Sequence, residues 1–153
     1  MVPLPDAGAP PGGRSGRGRR VRIIASYVGD SRVSLEHELS GERIGTDLPV
    51  DNGGKGRTFS PTDLLVSALS SCILTIMAKL AEREGADLKG AELEFEKEMG
   101  TSPRRIARIS GVLTLPASVP EALRPKLQAC IQACPVHKSL HPDVQVAIET
   151  RYR

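Results

Sequence analysis

Two cysteines far apart in the chain, Cys72 and Cys134, are the residues whose chemistry most needs an explanation. Thiols attack electrophilic oxygen, exchange with disulfides and, when two of them meet, cycle between dithiol and disulfide. Cys72 lies inside an apolar run, and its neighbours Ser67, Ala68, Ser70 and Ser71 are small enough to let a second element or a substrate approach the sulfur. Reactivity requires the thiolate. An apolar setting opposes ionisation, and Cys72 lies too deep in its segment for a helix dipole to assist. A cation must therefore reach it, and arginine keeps its charge when desolvated. Arg32 and Arg43 are the candidates, and the sequence alone does not choose between them. Cys134 falls at a helix end, just before Pro135, where the dipole disfavours a thiolate. These considerations point to Cys72 as the attacking sulfur and Cys134 as the resolving one, with Cα atoms about 5–7 Å apart or brought there by a small shift.

Other constellations weigh less. Cys130 sits one helical turn before Cys134 and reads as a core residue or an alternative partner. Cys130, Cys134, His137 and His141 loosely match a zinc pattern, but two residues between Cys134 and His137 leave no room for a second element, and Pro135 and Pro142 break a continuous helix. A structural zinc site is therefore not expected. The glycine-rich segment from Asp51 to Gly56 lacks the Gly-Lys-Ser/Thr ending of a phosphate loop. There is no Gly-x-Ser-x-Gly. His37 shares a strand face with Val33 and Leu35 and reads as a satisfied, partly buried histidine, not as a base.

The elements that must position these residues are legible in the periodicity. Ser60, Pro61 and Asp63 form a helix start with a capping box, and Gly85 a helix stop. The segment between is apolar almost all round, which predicts a buried central helix. Cys72 shares a stripe with Leu65, Ala68, Leu69 and Ile76, and Leu65, Leu69 and Ile76 are expected to line a site that favours alkyl groups. Alternation from Val21, from Val33 and from Ile44 to Val50 predicts a three-stranded meander. Ala91 to Met99 and Arg104 to Leu115 read as two more strands, the latter with Ala107, Ile109, Gly111, Leu113 and Leu115 on one face. Glu92, Glu94, Glu96 and Glu98 form a solvated row and not a cation site. Val119 to Ala133 reads as a second helix and Val144 to Ile148 as a last strand. The order βββ-α-ββ-α-β argues for an α+β fold with antiparallel sheets.

Composition bounds the function. The 153 residues suit one domain. Residues 1–20, rich in Pro, Gly and Arg, are expected to be a disordered basic tail, with a single folded domain over 21–153. The net charge of +3 comes mostly from Arg14, Arg17, Arg19, Arg20 and Arg22. With two Tyr, two Phe and no Trp, the domain has little surface for stacking bases, so no nucleic-acid partner is expected. No apolar run of membrane-spanning length is expected, and so no membrane association. Three cysteines are too few for a disulfide scaffold, which points to the cytoplasm. An all-apolar helix needs cover on every side, which one chain does not supply, so a homodimer is expected.

The run SG-x-x-I-x-TD-x-PV-DN-x-G-K-G-x-x-FSPTDLL-x-x-x-L-x-SC, from Ser40 to Cys72, resembles the OsmC/Ohr family of osmotically inducible and organic hydroperoxide resistance proteins. The segments Pro103–Ile106 and Cys134–Pro142 continue the likeness, which is nearest to the OsmC-like branch. The resemblance implies an intertwined α+β homodimer with two central helices packed on sheets. It implies reduction of organic hydroperoxides, with Cys72 peroxidatic, Cys134 resolving and Arg32 as the loosely matched activating arginine. It also implies no cofactor, and a dithiol reductant such as a lipoylated protein. The chain departs from the characterised peroxidases at Thr62, which occupies the place of a glutamate that holds the arginine. A non-catalytic dimer of the same fold, binding a hydrophobic ligand or sensing redox state, is the alternative reading.

Overall fold

A computed structural model describes residues 20–153; most of the basic segment singled out above lies outside the described residues. The chain runs β1 (Ile23–Gly29), β2 (Arg32–His37), β3 (Arg43–Asp47), α1 (Pro61–Arg83), β4 (Glu92–Thr101), β5 (Arg104–Leu115), α2 (Arg124–Ala133), α3 (Pro135–Lys138) and β6 (Gln145–Tyr152). Two three-stranded sheets result, ordered β1-β2-β3 and β4-β5-β6.

The second sheet departs from the antiparallel expectation, because β6 runs parallel to β5. The chain between them crosses through α2 and α3, and a crossover of that kind returns a strand in the same direction. Ile109, Leu113 and Leu115 are buried on β5 as expected, but Ala107 is not. The register slips between Glu98 and Met99, so Ala107 is the extra residue of a bulge and Ile106 takes the inward place. Phe95 lies opposite Gly111, and its ring fills the space a Cβ there would need.

The start and stop of α1 follow the residues that predict them. Ser60 accepts from the Asp63 N–H at 3.1 Å while the Asp63 carboxylate accepts from the Ser60 N–H at 2.7 Å. Gly85 takes a φ of +75°, and the Ala86 and Gly85 N–H groups close back on the Ala81 and Glu82 carbonyls. Burial all round does not follow. Val66, Leu69, Ile73, Met77 and Ala81 face the core, while Leu65, Ala68, Ser71, Thr75 and Ala78 are exposed. Contrary to expectation, α1 is long and apolar enough, by length and composition, to cross a membrane. A core helix of a globular domain passes the same test, and the buried stripe of α1 is packed on β4, α2 and α3.

The first sheet makes no extensive packing contact with α1 or with the second sheet. The strand expected to reach Val50 stops at Asp47, and a short 3₁₀ turn covers Val50–Asn52. Ile23, Tyr27, Val28 and Ile44 remain exposed in it.

Candidate functional site

Cys72 sits in the fourth turn of α1 and is half-buried. The helix expected to end at Ala133 does so, and the chain turns at Cys134 into α3. Cys134 is therefore both the last residue of one helix cap and the first of the next, and it is fully buried. This packing of α3 on α1 brings the two thiols near enough for Cys72 to act on the ionisation of Cys134, and both are free. Burial pushes the Cys134 thiol above its ordinary pKa, and the contact with Cys72 pushes it further. The backbone N–H groups of His137 and Val136, aimed at the sulfur, oppose this without overcoming it. Cys134 is thus a buried, protonated thiol behind a more accessible one.

The surroundings of the pair match the sequence in part. Leu65 is 40% exposed, Ile76 is half-buried and Leu69 is fully buried. Leu69 therefore belongs to the core, and only Leu65 and Ile76 can offer an apolar surface beside Cys72. Cys130 is a core residue: it is 6% exposed, its thiol donates to the Lys126 carbonyl at 3.5 Å, and burial raises its pKa. The His141 ring accepts from the Asp143 N–H at 3.2 Å. Among the described residues no group of three or more His, Cys, Asp or Glu is placed to hold a metal ion. His37 is half-buried and hydrogen-bonds Ser40 Oγ at 2.7 Å.

The two candidate arginines lie together on the first sheet, at a shallow recess of about 300 Å³ that Val28 and Thr58 also line. Arg43 is paired with Glu36 at 2.6 Å. Arg32 is exposed and has no ion pair among the described residues. Because that sheet does not pack on α1, a single chain does not bring either arginine onto the thiol pair.

Two charged clusters escaped the sequence reading. The first is Arg57, which lies before α1. It donates from Nε to Asp47 at 2.6 Å, from its backbone N–H to the same carboxylate at 2.9 Å and from Nη1 to Asp30 at 2.6 Å. Asp47 is 1% exposed, and these donors hold its carboxyl far below the usual range. Periodicity carries no signal for this contact. The second is Lys97, which pairs with Asp63 and donates to Thr62 Oγ1 at 3.0 Å. Burial works to raise the Asp63 pKa, but Lys97 and the Ser60 donors outweigh it and hold it low. A signal existed here, because alternation sets Lys97 on the inward face of β4 between Phe95 and Met99, where a lysine needs a partner.

A model of OsmC-like protein matches residues 54–149, the stretch that holds α1, Cys72, Cys134 and most of the second sheet. The chain belongs to the OsmC-like family. This OsmC-like protein is similar to a solved structure from Psychrobacter arcticus 273-4, given as a candidate osmotic stress induced and detoxification response protein, at 36% identity. The match covers 89% of this chain and 98% of that one, with a TM-score of 0.81. Its fold is also that of OsmC from Legionella pneumophila, an organic hydroperoxide resistance protein (15% identity, 88% and 98% covered, TM-score 0.67). The organic hydroperoxide resistance protein OhrB of Bacillus subtilis shares it too (14% identity, 87% and 98% covered, TM-score 0.61). No curated protein matches the chain.

Proposed function

We propose that this OsmC-like protein is a thiol peroxidase that reduces organic hydroperoxides through Cys72 and Cys134. The observation that carries the reading is the proximity of a half-buried thiol on α1 to a fully buried thiol at the junction of α2 and α3. The Cys72 thiolate attacks the distal oxygen of the hydroperoxide, the O–O bond breaks and an alcohol leaves with the proton it needs. Cys72 is then a sulfenic acid. The Cys134 thiol displaces its oxygen as water and a disulfide forms. A dithiol, such as a lipoylated protein, returns both cysteines to thiols by exchange and is itself oxidised. The organic hydroperoxide resistance proteins that share the fold support the substrate class. Leu65 and Ile76 favour alkyl over hydrogen peroxide, since each buried CH₂ gains roughly 0.8 kcal/mol.

The active form in this reading is a homodimer. The exposed face of α1 and the exposed Ile23, Tyr27, Val28 and Ile44 of the first sheet need cover, and a second copy offers the same surfaces in return. Dimerisation would also be the route by which Arg32 of the first sheet reaches a thiol. A thiol pair that must be returned to the reduced state in each cycle suits the cytoplasm.

The test is peroxide consumption with a dithiol, comparing organic hydroperoxide with hydrogen peroxide. Turnover with the organic substrate, lost in Cys72→Ser, supports the reading; no turnover with either peroxide overturns it. One observation favours a non-catalytic ligand binder or redox sensor of the same fold. Thr62 carries no carboxylate and Asp63 is committed to Lys97, so neither is free to hold an arginine. A Cys72 that oxidises once and is not recycled by any dithiol would favour that second reading.

A further inference from the structure

The turn between β1 and β2 has an unusual backbone. Gly29, Asp30 and Ser31 take φ values of +84°, +50° and +58° in succession. Asp30 and Ser31 have no glycine's freedom there, so other contacts must hold them. Arg57 and Lys55 supply them. Arg57 Nη1 bonds the Asp30 carboxylate at 2.6 Å and its Nη2 the Asp30 carbonyl at 3.0 Å, while Lys55 Nζ reaches both Asp30 carboxylate oxygens at 2.9 Å. The other edge of the Arg57 guanidinium is fixed on Asp47 through Nε at 2.6 Å and Nη2 at 3.2 Å. One side chain therefore clasps the β1–β2 turn to the end of β3 and to the segment that leads into α1.

Arg32 stands at the centre of this arrangement. It follows the turn directly, and its Cα is paired with that of Asp47. Two carboxylates, Asp30 and Asp47, lie near it in the chain and in the register, yet Arg32 pairs with neither among the described residues. Arg57 occupies both, sharing Asp30 with Lys55. We infer that Arg57 is a positioning residue: by saturating Asp30 and Asp47 it holds the turn and keeps the Arg32 guanidinium unpaired, free to act on Cys72. This deepens the proposed peroxidase reading and rests on it. Without the Arg57 side chain, the buried Asp47 carboxylate keeps only backbone donors, and Arg32, which faces it in the register, is placed to pair with it. Arg32 would then be neutralised on its own sheet.

The experiment is a double-mutant cycle read on Cys72 itself. The rate at which Cys72 is alkylated is followed against pH in the full-length protein for wild type, Arg32→Ala, Arg57→Ala and the double variant, with Cys134→Ser as common background so that one site reports. Thiolate fraction sets that rate. Arg32→Ala and Arg57→Ala are each expected to shift the midpoint upward and slow alkylation near neutral pH by about tenfold, one unit of pKa. Adding Arg57→Ala to Arg32→Ala is expected to change the rate by less than about twofold, because residues acting through one group are not additive. Arg57→Lys, which keeps the charge and loses the fork, provides a second variant if Arg57→Ala does not fold, and is expected to fall between wild type and Arg32→Ala. An Arg57 variant that folds with a wild-type profile, or one whose shift is as large without Arg32 as with it, overturns the inference. A wild-type profile in Arg32→Ala overturns it too, and locates the failure in the assignment of Arg32. Failure of the peroxidase reading has a separate signature, wild-type protein that consumes no organic hydroperoxide.

Discussion

The two sheets of this OsmC-like protein are built on different physics. The second sheet, with α1 and α2, closes over Leu69, Ile73, Met77, Ile109, Leu113 and Leu127, each fully buried. The first sheet buries no large apolar side chain of its own strands; the only buried residues in it are Thr46 and Asp47. Apolar burial holds one region together, and it is nondirectional and cumulative. Backbone pairing and a clasp of Arg57 on two aspartates hold the other in place. The first sheet leaves its large apolar side chains exposed in the single chain, while the second buries its own within it.

The largest effect that sharpens this contrast is in the packed region. Leu69→Ala or Ile73→Ala should cost about 2–5 kcal/mol in denaturant unfolding, the usual range for a truncated core side chain. Ile23→Ala, on the exposed strand, should leave unfolding of the packed region within about 0.5 kcal/mol and instead weaken self-association, seen by sedimentation over a dilution series. Equal losses from both would erase the distinction between the regions.

Next in size is the clasp. Asp47→Asn should destabilise by roughly 1–3 kcal/mol, because Arg57 loses its buried partner while staying partly exposed itself. The sign with pH follows from a native carboxyl held far below the usual range. Its contribution is complete above the unfolded pKa of about 3.9 and is lost as the pH falls through the lower native value. Wild-type stability should therefore drop more steeply than that of Asp47→Asn between about pH 4 and the acid limit of folding, as read by thermal melts. Parallel curves would show that the pair contributes nothing.

A smaller effect is expected at the helix start. Ser60→Ala should cost about 1 kcal/mol through the lost cap. Lys97→Met should free Asp63 and raise its pKa toward the ordinary carboxylate range, measurable by carboxyl titration in NMR. The smallest effect belongs to the solvated row of β4, where Glu94→Ala should stay within about 0.5 kcal/mol.

The same contrast explains what the sequence disclosed. The second region was legible because its signals are local or periodic: the Ser60–Pro61–Asp63 start, the Gly85 stop and the alternation in β4 and β5. The two thiols lie on elements that pack on each other, α1 and the start of α3, and those elements are the locally signalled ones. The slip at Ala107 and the parallel turn of β6 could not, since a bulge and a crossover direction are settled by partners and not by the strand itself. The exposed side of α1 was misjudged for a related reason. Apolar composition says that a surface must be covered, not that the same chain covers it. Arg57 was missed because an ion pair across a loop leaves no period, while Lys97 was overlooked although its inward position on β4 called for an acid.

The central claim is that Cys72 attacks an organic hydroperoxide and Cys134 resolves it. Intact-mass analysis of the reduced protein after one equivalent of an alkyl hydroperoxide tests this most directly. The account predicts that wild type loses two hydrogens and yields a Cys72–Cys134 linked peptide. Cys134→Ser should instead gain one and then more oxygens on Cys72, and Cys72→Ser should remain unchanged. Oxidation of Cys72→Ser at the wild-type rate, or a wild-type protein that forms no Cys72–Cys134 bond, would contradict it.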